Sequence, residues 1–441
     1  MKRITFALIC VYGQRGSFSL FTEPCVSTKE VIMKNKKKKK NKKWIRPRHA
    51  LVRSLLNITL GVYARKKYGA KIEKIKDSNK RPYLLLYNHQ TGFDQFFIGM
   101  TCKRPVYYLA SEDIFSMGFL SRLIEYLVKP IPIKKQTNDP RAVINCIKVA
   151  KEGGTIAIAP EGNRTYSGRT CYIKPTISSL ARHLNLPIAF IKLEGGYGVQ
   201  PRWSDKVRRG GMNVRVGRIM EPEEYKELSD EELLSVIREE LWQDEAVDTK
   251  EYTGNRLAEH LERAIYVCPD CGLSEFESHG DIICCKRCQR KVRHLPSTEL
   301  SGVDSPFPFR FVADWYEYQE KYVRELQLSS LPEEPLYTED CVFERVIVYK
   351  KKEPMFKKAE ISLYKDKITV SSKDTTLVFP FDELSAVSVL GKNKLNLYHG
   401  KELYQVSGNR RLCALKYVNL YYKHLYETKG EDHEGSAFLG I

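Results

Sequence analysis

The chain is predicted to fold as an α/β sheet covered by helices, followed by a small cysteine-held ribbon and a C-terminal β-barrel-like domain capped by a helix. Three observations carry this expectation. Between residues 82 and 219 short apolar runs alternate with helical stretches, the pattern of a sheet with helices on its faces. Two Cys-x2-Cys pairs fall within residues 267–294. From residue 343 onward the runs are short, rich in β-branched and aromatic residues, and end in one amphipathic stretch.

Length and charge set the outer bounds. A chain of 441 residues exceeds one ordinary domain. Its 73 basic against 54 acidic residues leave a net charge of +19, which favours polyanionic partners: anionic membrane, nucleic acid, or phosphorylated and CoA-bearing substrates. Of 12 cysteines, four sit in paired metal-ligand spacing and the rest are mostly scattered, which fits a reducing cytoplasm rather than secretion. Residues 4–12 form a short apolar run after Lys2 and Arg3 but lack a small-residue cleavage site. The nearest approach to a spanning helix, residues 50–64, is too short and carries Arg53, so the protein is expected to lie on a membrane, on the inner face of the cell membrane, rather than cross it. Met33 is an alternative start to Met1.

Taken in order, residues 1–48 read as a disordered basic segment, with eight lysines in positions 34–43 suited to anionic lipid. Residues 49–67 read as a helix on which Leu51, Leu55, Ile58 and Val62 form a stripe. The stripe either meets a membrane interface or packs on the core of the domain that follows, and the sequence leaves both open. Strands are expected at residues 83–87, 106–110, 155–159, 188–193 and 213–216, inside a domain bounded at 49–228. Ser229 and Glu232 stand in capping-box spacing at the start of a helical connector, 229–266. The ribbon, 267–294, is followed by a helical linker, 295–340, with an aromatic helix at 311–326. The last domain spans 341–428, with strands at 345–349, 359–364, 367–371, 376–379, 386–389, 395–398 and 403–406 and a helix at 410–427, before a tail at 429–441.

Chemistry concentrates after two strands. His89 follows the first, where open α/β sheets place their sites. Transfer of an acyl group to an alcohol needs a base for the hydroxyl proton, and histidine suits it. Asp94, across a turn containing Gly92, is placed to orient the ring and stabilise the imidazolium. After the second strand come Glu161, Gly162, Asn163 and Arg164: Gly162 permits close approach of a ligand to backbone, and Arg164 offers a planar fork for phosphate oxygens.

Asn88-His89-x4-Asp94, then Pro160-Glu161-Gly162-Asn163-Arg164, then the Pro-containing apolar strand Leu186-Pro187-Ile188-Ala189, together resemble the lysophosphatidate (1-acyl-sn-glycerol-3-phosphate) acyltransferase family over about a third of the chain. The resemblance implies a glycerolipid acyltransferase-type sheet, His89 as catalytic base with Asp94 as its partner, and Asn88, Lys135, Glu161, Gly162, Asn163 and Arg164 at the substrate. It further implies transfer of a fatty acyl group from acyl-CoA or acyl-carrier protein to lysophosphatidate or a related phosphorylated glycerolipid, with no covalent acyl-enzyme. Two positions depart from the family pattern. Asn163 stands where Thr is usual, and Lys135 where Arg is common, giving charge without the fork.

Cys268 and Cys271, with Cys285 and Cys288, are spaced to close a tetrahedral structural Zn2+ shell. Cys284 is out of register, a bystander or an alternative ligand. The C-terminal element order resembles a pleckstrin-homology-like barrel, without a distinctive lipid-reading cluster, so a packing or interaction module is expected. Lys286, Arg287, Arg290, Lys291 and Arg293 keep a second reading open, a zinc-ribbon nucleic-acid-binding protein with a non-catalytic scaffold. Such a protein has no need of His89, Asp94, Glu161 and Arg164 in this order, and nucleic acid is therefore not the expected partner.

Overall fold

Parallel strands buried on both faces need unbroken apolar runs, and Leu84–Tyr87 and Thr155–Ile158 supply them. The structure, a computed structural model, describes residues 43–133, 139–247, 250–348 and 350–430. Lys135, Met33 and positions 34–42 of the lysine run lie outside the described residues. From Trp44 onward the described residues pack as one unit.

The first sheet has seven strands: β1 (Ala70–Ile72), β2 (Leu84–Tyr87), β3 (Val106–Ser111), β4 (Ile131–Ile133), β5 (Thr155–Ile158), β6 (Ile188–Glu194) and β7 (Met212–Met220). Their order is β1-β7-β6-β2-β5-β3-β4, with only β6 and β7 antiparallel. β2 and β5 are parallel neighbours, Leu84 beside Ile156 and Leu86 beside Ile158, so the loops leaving their carboxyl ends emerge side by side. β1 and β4, absent from the sequence reading, are three-residue strands at the two sheet edges, too short to show a period.

Alternate residues of β2 serve opposite cores. Leu84 and Leu86 pack with Ile156, Ile188 and Phe190 under the helices that supply Val149, Ile177 and Leu233; Leu85 and Tyr87 pack with Ala157, Ile191, Phe97 and Ala64 on the other face. The helices are α1 (Pro47–Leu56), α2 (Val62–Tyr68), α3 (Asp94–Thr101), α4 (Phe119–Leu127), α5 (Pro140–Lys151), α6 (Thr176–Leu184), α7 (Gly196–Val199), α8 (Pro222–Lys226) and α9 (Asp230–Leu241). α1 runs into α2 through a π turn, Asn57–Gly61. The expected capping box begins α9: the Ser229 hydroxyl accepts from Glu232 N at 3.1 Å, and Ser229 N donates to the Glu232 carboxylate at 2.6 Å.

The ribbon holds a two-strand knuckle, β8 (Val267–Cys268) with β9 (Gly272–Leu273), and a four-strand sheet of β10 (Phe276–His279), β11 (Ile282–Cys285), β12 (Lys291–His294) and β13 (Leu300–Gly302). α10 (Val312–Glu325) seals it: the Trp315 indole donates to Val267 O at 2.8 Å, and Gln319 Oε1 accepts from Tyr266 N at 2.7 Å.

The last sheet comprises β14 (Tyr337–Arg345), β15 (Glu353–Leu363), β16 (Lys367–Ser371), β17 (Thr376–Pro380), β18 (Leu384–Leu390), β19 (Lys394–His399) and β20 (Glu402–Ser407), with α11 (Ala414–Lys429) packed on it. Its order, β17-β16-β15-β14-β20-β19-β18, is antiparallel throughout. β17 and β18 follow one another in the chain but do not pair, so the sheet is open at that seam and no barrel closes. The strand expected at 345–349 is displaced: the ladder uses Tyr337–Arg345, and the Val-Ile-Val run after it belongs to the connection to β15. One apolar cluster runs from Tyr166 and Trp203 through the ribbon and α10 into this sheet and α11.

Candidate active site

The turn after β2 is built around one carboxylate. Asp94, fully buried at the first position of α3, accepts from Gln90 N at 2.8 Å, from Thr91 N at 3.0 Å and from the Thr91 hydroxyl. The same carboxylate meets His89 Nδ1 at 2.7 Å. With Nδ1–H donating there, the basic lone pair of the imidazole is on Nε2, and the ring keeps 25% of its surface. A carboxylate so fixed by N–H and O–H donors holds the ring in one orientation and is placed to balance charge that develops on it.

Asn88, expected at the substrate, is tied up elsewhere. Its amide donates to Leu193 O at 2.9 Å and accepts from Leu193 N at 2.7 Å, continuing the β2–β6 ladder by one side chain.

The loop after β5 grips the loop after β2. Glu161 Oε1 accepts from His89 N at 2.7 Å, Glu161 Oε2 accepts from Cys171 N at 2.7 Å, and Thr165 N donates to His89 O at 3.1 Å. The backbone of the histidine is thus held on both sides. Glu161 is a clamp buried beneath the loops; burial pushes its pKa up to about 8, against the pull of the two N–H groups. Gly162 has φ +72, the left-handed region that favours glycine, and nothing stands within 4 Å of where its Cβ would be. Asn163 is buried.

Arg164 comes back over the turn, its Nη1 lying 3.8 Å from the Cβ position of Gly92. Among the described residues its guanidinium has neither an ion pair nor a hydrogen bond. Burial and the neighbouring Arg202 lower its pKa to about 10, so it remains a cation at neutral pH. A charged fork that makes no ion pair among the described residues, beside the turn that holds a histidine–aspartate pair, is chemically able to take an anionic group.

Two residues of this neighbourhood have no local signal in the sequence. Gln90 Oε1 accepts from Tyr197 N at 3.2 Å, and a Cβ at Gly196 would fall 2.5 Å from that oxygen, so the chain after β6 needs glycine there. Buried Arg202 donates to Arg164 O at 2.7 Å from a position 38 residues away.

At the ribbon, Cys268, Cys271, Cys285 and Cys288 bring four sulfurs within 4.8 Å of one another. The separations of 3.7 Å (Cys268–Cys288 and Cys268–Cys271) and 4.0 Å (Cys271–Cys285) match the ~3.8 Å edge of a tetrahedron with metal–sulfur bonds of about 2.3 Å. Cys284 turns away, toward Gln289 Oε1 at 3.7 Å, and is outside the cluster.

Glu161→Gln tests the clamp. The amide would put an N–H2 group against one of two backbone donors, and the melting midpoint should fall by roughly 3–8 °C with a loss of activity of at least ~10-fold. An unchanged midpoint by thermal denaturation would show that the carboxylate does not hold the loops.

Residues 69–192 match the family model described as Acyltransferase. The chain is 24% identical over 143 residues to the chloroplastic 1-acyl-sn-glycerol-3-phosphate acyltransferase BAT2 of Brassica napus, covering 32% of this chain and 40% of that protein. It is 24% identical over 155 residues to the chloroplastic 1-acyl-sn-glycerol-3-phosphate acyltransferase LPAT1 of Arabidopsis thaliana, covering 34% and 42%. It thus spans less than half the length of these relatives. Among solved structures, the 1-acyl-sn-glycerophosphate acyltransferase PlsC of Thermotoga maritima aligns with a TM-score of 0.37 and 21% identity, over 44% of this chain and 80% of that one. The segment from residue 69 to residue 192, which contains His89, Asp94, Glu161 and Arg164, matches the Acyltransferase family model, and over about a third of its length the chain is similar to lysophosphatidate acyltransferases.

Proposed function

We propose that the protein transfers a fatty acyl group from acyl-CoA or acyl-carrier protein to the free hydroxyl of lysophosphatidate or a related phosphorylated glycerolipid. The observation that carries this reading is an arginine that makes no ion pair among the described residues, beside the turn that holds the His89–Asp94 pair. In the reaction His89 Nε2 takes the hydroxyl proton as the oxygen attacks the thioester carbonyl. The carbon–sulfur bond then breaks, and the thiolate leaves with the proton from the imidazolium. Asp94 holds the ring and balances its charge, and Arg164 receives the phosphate. Direct attack suits the surroundings: burial holds the nearby Cys171 thiol well above its ordinary pKa, away from nucleophilic use.

A membrane-facing surface fits a lipid acceptor. The stripe left open by the sequence points outward: Leu51 (74% exposed), Leu55 and Ile58 on the α1–π–α2 helix face solvent, as do Phe119 (79% exposed), Leu120 and Tyr126 of α4. Arg48 joins the two helices, its guanidinium 4.0 Å over the Tyr126 ring. Among the described residues no helix is long and apolar enough to cross a membrane. An apolar face with Arg46, Arg48, Arg65 and Lys66 around it suits peripheral attachment to an anionic leaflet, the inner face of the cell membrane on this reading.

The four-cysteine cluster would hold one structural Zn2+, sulfur filling all four positions and leaving none for substrate. The nucleic-acid reading loses support at the same place. Lys286 pairs with Glu275 at 2.9 Å and Arg290 with Asp270, so the ribbon neutralises part of its own positive charge.

His89→Ala should lower turnover by at least ~100-fold with circular dichroism unchanged, the contribution of a lost base; turnover near wild type would refute the mechanism. Changing Leu55, Ile58 and Phe119 together to serine should weaken binding to vesicles of anionic phospholipid by at least ~10-fold, since each apolar side chain buried contributes about 1.5–3 kcal/mol. Unchanged co-sedimentation would place the membrane contact elsewhere. Metal analysis of reduced protein should return about one zinc per chain, and clearly less in Cys271→Ser, because a four-thiolate site does not close with three; full zinc content in that variant would exclude the cluster as the site.

A further inference from the structure

We infer that Arg202 and the β18–β19 turn of the C-terminal sheet position Arg164 for the acceptor's phosphate, making the C-terminal domain part of acceptor recognition. The inference rests on the reading of Arg164 as the phosphate ligand. Arg202 spans the two domains with one guanidinium: Nη1 donates to Arg164 O at 2.7 Å, and Nε donates to Gly391 O at 2.8 Å, 189 residues away. The plane of that guanidinium lies 4.1 Å over the ring of Tyr166, whose hydroxyl donates to Lys392 O at 3.0 Å. The Arg164 carbonyl, through Arg202, and Tyr166, two residues on, are therefore referred to the same turn.

A second arm keeps the turn in place. The Lys392 ammonium donates to Ser204 O and to Asp205 Oδ1, the latter at 3.0 Å. Asp205 is gripped in turn by Arg263 at 2.9 and 3.1 Å, and Arg263 Nε donates to Arg410 O at 2.7 Å, just before α11. The charge of Arg202 adds a further consequence. Among the described residues it has no carboxylate partner, and it stands close enough to Arg164 to lower that residue's pKa. If Arg202 served only to tie loops together, a neutral donor would do so without burying a cation. Two neighbouring guanidiniums, one braced by carbonyls and one exposed to the turn after β2, gain from a dianionic ligand between the acceptor hydroxyl and the loop.

Arg202 and Lys392 act through Arg164 and are positioning residues. Their readout is the preference for a phosphorylated acceptor, kcat/KM for lysophosphatidate over kcat/KM for monoacylglycerol. A general loss of fold lowers both values together, whereas a displaced Arg164 lowers the first alone. Measured on the full chain, Arg202→Lys should reduce this preference by about 10-fold. The milder Lys392→Met and Tyr166→Phe, which remove single tethers and keep most of the packing, should reduce it by about 3- to 5-fold. KM for the acyl thioester should stay unchanged, with melting midpoints recording the fold. A wild-type preference that survives unaltered in Lys392→Met and Tyr166→Phe, or equal losses on both acceptors, overturns the coupling alone. Absence of any wild-type preference for the phosphorylated acceptor overturns the phosphate reading and the inference with it.

Discussion

The structure of the site depends on how the backbone of one residue is held. His89 gives its N–H to Glu161 and its carbonyl to Thr165, so the residue is fixed through its backbone by the neighbouring loop while its ring meets Asp94. That grip exists because β2 and β5 are parallel neighbours in register, which brings two carboxyl-terminal loops together and leaves them facing donors and acceptors to satisfy. A buried carboxylate is a demanding way to satisfy them. Burial outweighs the pull of the two N–H donors, and the Glu161 pKa is raised accordingly.

Much of this was legible in the sequence for a physical reason. Strands buried on both faces must be apolar throughout, so Leu84–Tyr87 and Thr155–Ile158 were visible, and the polar clusters after them marked the site. The capping box at Ser229 and the cysteine spacing are local codes, read within a few residues. The sequence could not say which partner each side chain takes. The resemblance puts Asn88 and Glu161 at the substrate; the folded chain shows the partners their side chains take, Leu193, 105 residues away, for Asn88, and His89 N and Cys171 N for Glu161. Arg202 carried no signal, because its two acceptors come from loops that only tertiary folding brings together. The outward turn of Leu51, Leu55 and Ile58 likewise needed the opposite helix face, with Ala64 and Tyr68, to be seen entering the core.

The division into domains is also less sharp in space than along the chain. A single apolar cluster joins Tyr166 and Trp203 to the ribbon, α10 and the open C-terminal sheet. The ribbon sits in the middle of it, with Cys268 and Cys285 buried and Gln319 of α10 closing the backbone of its first knuckle. Loosening the cysteine cluster would therefore be felt on both sides, by the catalytic loops as well as by the sheet.

The bond between Tyr166 and Lys392 joins residues 226 apart. On a ribosome adding about 5–20 residues per second, that gap corresponds to on the order of ten to forty seconds during which the catalytic sheet has emerged and the turn has not. A nascent chain in that interval can assemble its histidine and aspartate while the arginine loop is still without its brace. Because its partner lies so far downstream, the brace on the arginine loop can form only after the sheet it serves has been made.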